Sequence, residues 1–286
     1  MSSPPAGANI ETAFWDDAYS NGAYIEGGDA FPAKWATEAA AFRAAMAAEG
    51  RAELDQPYGP RPREWFDLFL PKETPKGVFV FVHGGYWMAF DKSSWSQLAV
   101  GALAHRWAVA MPSYTLCPDV RISDITAELA RAVTAIAGRM AGGLALAGHS
   151  AGGHLVTRLA CADASLPGAV RARVQHTVSI SGVHDLRPLL KTTMNSTLRM
   201  DAAEATRESP ALLMPVPGAK VTCWVGSKER PEFIRQNALL ANVWTGLGAH
   251  AVERQAEDRH HFDVIEHLAD PHSDLIETLF GAGGSP

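Results

Sequence analysis

Apolar positions along the chain follow two alternating rhythms. The run VFVFVH (78–83) is too uniformly apolar for a strand with one wet face, so it predicts a strand buried on both sides. Runs of the same kind return in WAVAMPSY (107–114), GLALAG (143–148), HTVSISG (176–182), VTCWVG (221–226) and AHAVERQ (249–255). Earlier, REWFDLFLP (63–71) alternates in the manner of a strand at the side of a sheet. Between these runs the spacing becomes helical. Ile122, Ile125, Leu129, Val133, Ile136 and Met140 recur at steps of three and four, Trp35, Ala39, Phe42 and Met46 do the same, and a further helix is expected from about 231 to 244. Strand and helix in alternation predict an α/β fold, a mostly parallel sheet with helices on both faces and any early antiparallel strands at its edge. The stretch 185–218 breaks the rhythm, being longer than an ordinary connection, and is expected to form a small lid or pocket wall. No repeat or low-complexity tract divides the chain, which predicts one domain over 1–286, with the Ser/Pro/Gly/Ala-rich residues 1–10 mobile.

One interruption of this rhythm carries chemistry. In LALAGHSAGGHLV (144–156), GHSAGG separates a predicted strand from a predicted helix, the context of a nucleophile elbow that lifts a serine hydroxyl, here Ser150, above a sheet. A phosphate-binding loop is disfavoured, because no Lys-Ser/Thr pair follows and the glycine spacing is not that of a dinucleotide fingerprint. A serine hydroxyl needs a base, and the base needs an orienting acid. EDRHHFD places His260 and His261 just beyond the last predicted strand, and VGSKERPEF places Glu229 at the end of the strand before it. The order Ser, acid, His is that of a hydrolase, and spacing alone leaves either histidine eligible. HGGYW (83–87) follows VFVFV directly, where Gly84 and Gly85, with Ala151 after the serine, can aim backbone N–H groups at a developing oxyanion. His83 is read as a hydrogen-bonding support for that loop, and Tyr86 and Trp87 as either packing or pocket wall.

Composition narrows the partners. The 286 residues are 47% hydrophobic with a formal net charge of −6, and the charges are mixed along the chain. Without a basic stripe, nucleic acid and membrane surfaces are not expected, and a small molecule is the expected partner. Three separated cysteines, Cys117, Cys161 and Cys223, each beside apolar residues, predict buried free thiols in a reducing compartment. The first residues lack the basic start and apolar core of a secretion signal, so a cytoplasmic address is expected. Histidine spacing offers no H-E-x-x-H pattern, so neither a metal nor another cofactor is expected. A homodimer is compatible with the sequence.

Taken in order, REWFDLFLP, FVHGGYWMAFDK, SYTLCP, LAGHSAGGHLV, ISGVHDLRPLL, VGSKERPEFIRQ and HHFDVIEHL resemble the α/β-hydrolase superfamily. Within it they are similar to the branch joining kynurenine formamidase (arylformamidase) to hormone-sensitive-lipase-like esterases, over most of the chain from about Trp15. The resemblance implies the α/β-hydrolase fold and selects His261, the histidine directly before Phe-Asp, as base. The branch usually carries aspartate in a DSPEF-like stretch where this chain has KERPEF, which puts Glu229 in the acid's place and leaves Glu232 as the alternative. It also has alanine at the position of Cys117. The activity implied is hydrolysis through an acyl-enzyme of an aryl formamide such as N-formylkynurenine, or of a small ester, in a compact aromatic pocket to which Tyr86, Trp87 and His184 are assigned. A general carboxylesterase or thioesterase of short acyl chains is the alternative, and a ligand receptor without turnover is disfavoured by the intact set of groups.

Overall fold

In the computed structural model, residues 10–281 are described; the expected mobility of residues 1–9 falls outside them. Eight strands, β1 (Ala52–Pro57), β2 (Trp65–Phe69), β3 (Gly77–Val82), β4 (Ala108–Pro112), β5 (Gly143–His149), β6 (Val174–Ile180), β7 (Lys220–Gly226) and β8 (His250–Ala256), form one sheet. Its order is β1-β2-β4-β3-β5-β6-β7-β8. β2 runs antiparallel to β1 and β4, and every pair from β4 to β8 is parallel. The expected parallel sheet with antiparallel strands at one edge is therefore present.

Ten helices accompany the strands among the described residues: α1 (Ile10–Ala18), α2 (Phe31–Ala48), α3 (Val100–Ala104), α4 (Ile122–Arg139), α5 (Ala151–Leu159), α6 (Gly168–Arg171), α7 (Asn195–Leu198), α8 (Ala202–Arg207), α9 (Pro231–Gly246) and α10 (Asp274–Phe280). The period of two in β3 divides the core. Val78, Val80 and Val82 pack with Ile125, Leu129 and Val133 of α4 and Leu155 of α5. Phe79 and Phe81 face the other way, onto Trp35 and Met46 of α2 and Leu275 and Ile276 of α10. A strand covered on both faces has no position for a polar side chain, which is why its sequence is an unbroken apolar run. All three cysteines are buried free thiols, and burial pushes each up to about 12. None of the described helices is long and apolar enough to cross a membrane.

The 185–218 segment contains α7 and α8 and is fastened to the body by two buried carboxylates. Glu204 accepts from Arg121 Nε at 2.7 Å and from Ser123 Oγ at 3.0 Å. Glu208 accepts from Thr126 Oγ1 at 2.9 Å and lies 3.3 Å from Arg158 Nε. On its other side, the Thr193 N–H donates to Asp16 of α1 at 2.7 Å.

Candidate active site

The parallel strands set the positions of the chemically interesting residues. Gly84, Ser150, Glu229 and His261 follow β3, β5, β7 and β8, all at the carboxyl ends of strands, where crevices open in sheets of this kind. Between β5 and α5, Ser150 has φ 54 and ψ −117, a conformation costing about 1–3 kcal/mol that persists only where its surroundings enforce it. Two close approaches enforce it. A methyl group at Gly148 would lie 2.1 Å from the Gly152 carbonyl oxygen, and one at Gly152 would lie 2.0 Å from the Val82 carbonyl oxygen. Both obstacles are backbone, so neither can swing aside. Gly152→Ala is accordingly expected to destabilise the protein by about 1–3 kcal/mol or more, and thermal unfolding will check this; an unchanged Tm would contradict the packing account. Meanwhile the Ser150 N–H donates to Ile180 O at 2.8 Å, tying the elbow to β6.

Glu229 and His261 are brought together, with Nδ1 of the histidine 2.6 Å from Oε2 of the carboxylate and both residues buried. The other carboxylate oxygen accepts from the Gly226 N–H at 2.8 Å and from the Ser181 hydroxyl. A buried carboxylate needs such a set of donors, and Glu229 has them. Since Nδ1 is committed to the carboxylate, Nε2 is the ring nitrogen left to act. Neighbouring His260 serves the backbone instead: its Nδ1 accepts from the N–H groups of Phe262 and Asp263, each at 3.2 Å. Glu232 is likewise engaged elsewhere, accepting from Tyr19 Oη at 2.8 Å, Gln236 Nε2 at 2.9 Å and Arg235 Nε at 2.8 Å.

The glycine loop lies against the elbow. A methyl group at Gly84 would be 3.1 Å from Ser150 Cβ, and Ala151 begins α5 beside it. His83 braces this loop, its Nδ1 2.8 Å from Gly84 O, while its ring stacks on Tyr114 at 4.4 Å and Tyr114 Oη donates to His83 O at 3.0 Å.

The three residues assigned to the pocket separate. Tyr86 is half-buried and donates its hydroxyl to Tyr19 O at 2.6 Å. Trp87 is 1% exposed and packs edge-on against His154 at 5.2 Å. His184 is fully buried behind α5, its ring nitrogens 3.3 Å from Thr157 Oγ1 and Ser179 Oγ. That corrects the assignment of His184: with both nitrogens turned to internal hydroxyls, it is a core side chain and not a pocket wall.

Four histidines near the elbow are held neutral by burial. It lowers His83 to about 4 and His154 and His184 to about 3, and it combines with the proximity of His261 to hold His149 far below the usual histidine range. The unfolded chain takes up these protons at about pH 6.5, before the folded chain does, so the linked stability is present above that pH and lost as pH falls toward 4. Urea midpoints are expected to fall between pH 7 and pH 5. Equal midpoints would contradict neutral burial.

Sequence reasoning missed part of the site. A cavity of about 220 Å³ borders Glu229 and His261 and is lined also by Asn21, Tyr24 and Ile25, from the short turns after α1. Asn21 donates to Tyr86 Oη at 3.2 Å, and the Tyr24 ring lies 3.6 Å from the Arg230 guanidinium. Its one signal, the Asn-Gly pair in YSNGAY, marks a turn and no particular neighbour. A larger cavity, about 450 Å³, lies at the opposite end of the sheet near Val174 and Lys220, the first residues of β6 and β7.

A family model described as the Alpha/beta hydrolase family matches residues 79–283. Kynurenine formamidase of Danio rerio is 28% identical over 235 residues, covering 79% of this chain and 80% of that protein; that of Drosophila melanogaster is 29% identical over 235 residues, covering 76% and 77%. The crystal structure of a candidate thioesterase from Silicibacter sp. TM1040 is 55% identical, with a TM-score of 0.88 over 93% of this chain and 98% of that one. Esterase B from Lactobacillus rhamnosis, 18% identical, shares the fold with a TM-score of 0.61 over 87% and 91%.

Proposed function

The chain belongs to the alpha/beta hydrolase family, and from that premise we propose a serine hydrolase that releases small acyl groups, with an aryl formamide such as N-formylkynurenine or a small ester as substrate. The observation that carries this reading is the buried 2.6 Å contact between His261 Nδ1 and Glu229, beside a serine in a strained elbow. Ser150 Oγ attacks the carbonyl carbon while His261 Nε2 accepts its proton. Glu229 holds the imidazole in the tautomer that leaves Nε2 free and stabilises the imidazolium that forms. N–H groups of Gly84, Gly85 and Ala151 hold the oxyanion. When the tetrahedral intermediate collapses, His261 returns the proton to the leaving amine or alcohol; water then cleaves the acyl-enzyme by the same route.

The formyl preference is supported by the kynurenine formamidase relatives of Danio rerio and Drosophila melanogaster, and by a serine and histidine that are 4% and 3% exposed, a setting suited to a compact acyl group. A thioester is the second reading, favoured by the 55% identity to the candidate thioesterase. Side-by-side kinetics on N-formylkynurenine, aryl esters of short and long acyl chains, and a short acyl thioester test the choice. The formamide and the short ester are expected to give the highest kcat/KM. A thioester that exceeds both would transfer the assignment to the second reading, and preference for the long chain would overturn the small-acyl site.

A further inference from the structure

Resting on the reading of Ser150 and His261 as nucleophile and base, we propose that His149 is a positioning residue, a neutral wedge that sets the spacing between the base-bearing loop after β8 and the glycine loop after β3. Its Nε2 lies 2.9 Å from the backbone oxygen of His261. A carbonyl can only accept, so Nε2 carries the proton and donates, which fixes the ring's tautomer. The two imidazoles also touch, their centroids 4.6 Å apart at 43°. At the opposite edge, Nδ1 would lie 3.1 Å from a methyl group on Gly84, so the ring fills the gap between the two loops. That Nδ1 is buried and without a hydrogen-bond partner, and a buried nitrogen left bare is a cost the packing arrangement has accepted.

Nothing in the proposed chemistry consumes His149. No proton has a route through it, because its donor is taken by a backbone carbonyl and its other nitrogen faces the glycine loop. Yet it is chained directly to Ser150, so any motion of the elbow is passed to both partners of the serine at once. His261 is otherwise set by Glu229 at Nδ1 and by the ring of Phe233 at 4.5 Å. Neither holds the backbone of the histidine. His149 supplies that restraint, and displacement of a reacting group by about 1 Å can cost about 100-fold in rate.

The test replaces His149 in the full chain by Phe, Gln and Asn, with kcat and KM measured on 4-nitrophenyl acetate, inactivation rates on a fluorophosphonate, and unfolding followed for each variant. Phenylalanine keeps the ring and loses the donor, so kcat and the inactivation rate are expected to fall about 10- to 100-fold while KM stays within about twofold. The Gln amide N–H reaches about as far as Nε2 and is expected to restore both rates to within about fivefold of wild type. Asparagine, too short to reach the His261 carbonyl, should stay slow. A folded Phe variant with wild-type rates would overturn the proposal, and so would equal rates for Gln and Asn, a comparison that stands even if the Phe variant does not fold. Failure of the fluorophosphonate to inactivate the wild-type protein would instead overturn the serine mechanism on which the proposal rests.

Discussion

Ser150→Ala is expected to lower kcat on an activated aryl ester by about 10⁴- to 10⁶-fold with little change in fold. The two expectations come from different parts of the elbow. Its shape is set by the backbone: the Ser150 N–H donates to Ile180 O, and Gly148 and Gly152 allow α5 to approach β3 and β5. Alanine keeps that N–H and suffers the same strain at φ 54. On the proposed mechanism, what is removed is the oxygen that forms the acyl-enzyme, leaving the backbone donors to polarise a carbonyl that nothing attacks. Intact-mass measurement after fluorophosphonate treatment gives the complementary readout, an adduct on the wild-type protein and none on the variant. Full activity of Ser150→Ala would end the serine mechanism.

On the proposed mechanism, Glu229→Gln is expected to cost about 10⁴-fold in kcat, as loss of the orienting acid does in serine-protease triads. In the variant, Oε1 can still accept from the Gly226 N–H and the Ser181 hydroxyl. The amide nitrogen then faces His261 Nδ1 and donates to it, which places the imidazole proton on Nε2. A protonated Nε2 cannot take a proton from serine. Glu232→Gln is the matched control, expected to leave kcat nearly unchanged, because the Glu232 carboxylate is engaged by Tyr19, Arg235 and Gln236 and by no histidine. Activity lost in the Glu232 variant and kept in the Glu229 variant would reverse the assignment of the acid.

Most of the sheet could be read in the sequence because β3, β4, β5 and β7 are buried on both sides, a condition that leaves unbroken apolar runs; β8, expected as another buried run, is instead the far edge strand, and most of its residues are exposed. β1 could not: the alternation in AELDQP offers only Ala52 and Leu54 before Asp-Gln-Pro ends it, too short to mark a strand, and this edge strand is paired with β2. The grouping of Gly84, Ser150, Glu229 and His261 was legible because each follows a strand end, and a parallel sheet brings such ends to one side. Physics of the sequence alone left His260 and His261 equivalent. The family resemblance selects His261, and the turn after β8 separates the two, sending one ring inward to Glu229 and the other to the backbone of its own loop. Tyr19, Asn21 and Tyr24 were illegible, lying on a short irregular segment whose partners come from remote parts of the chain. His184 misled for the opposite reason. It stands beside the strand end where a pocket residue would, and the turn after β6 points it into the core.

Tyr19 meets Glu232 across 213 residues, and His149 meets His261 across 112. Those separations become times when the chain is made. At roughly 5–20 residues per second, the ribosome adds the 112 residues between elbow and base in about 6–22 s. Through that interval the serine has no histidine to activate it, whatever part of the sheet has formed around it. On the serine mechanism, the nascent protein is inert toward the acylated metabolites and cofactors around the ribosome. A message broken before the codon for His261 yields a product that cannot hydrolyse anything by this chemistry.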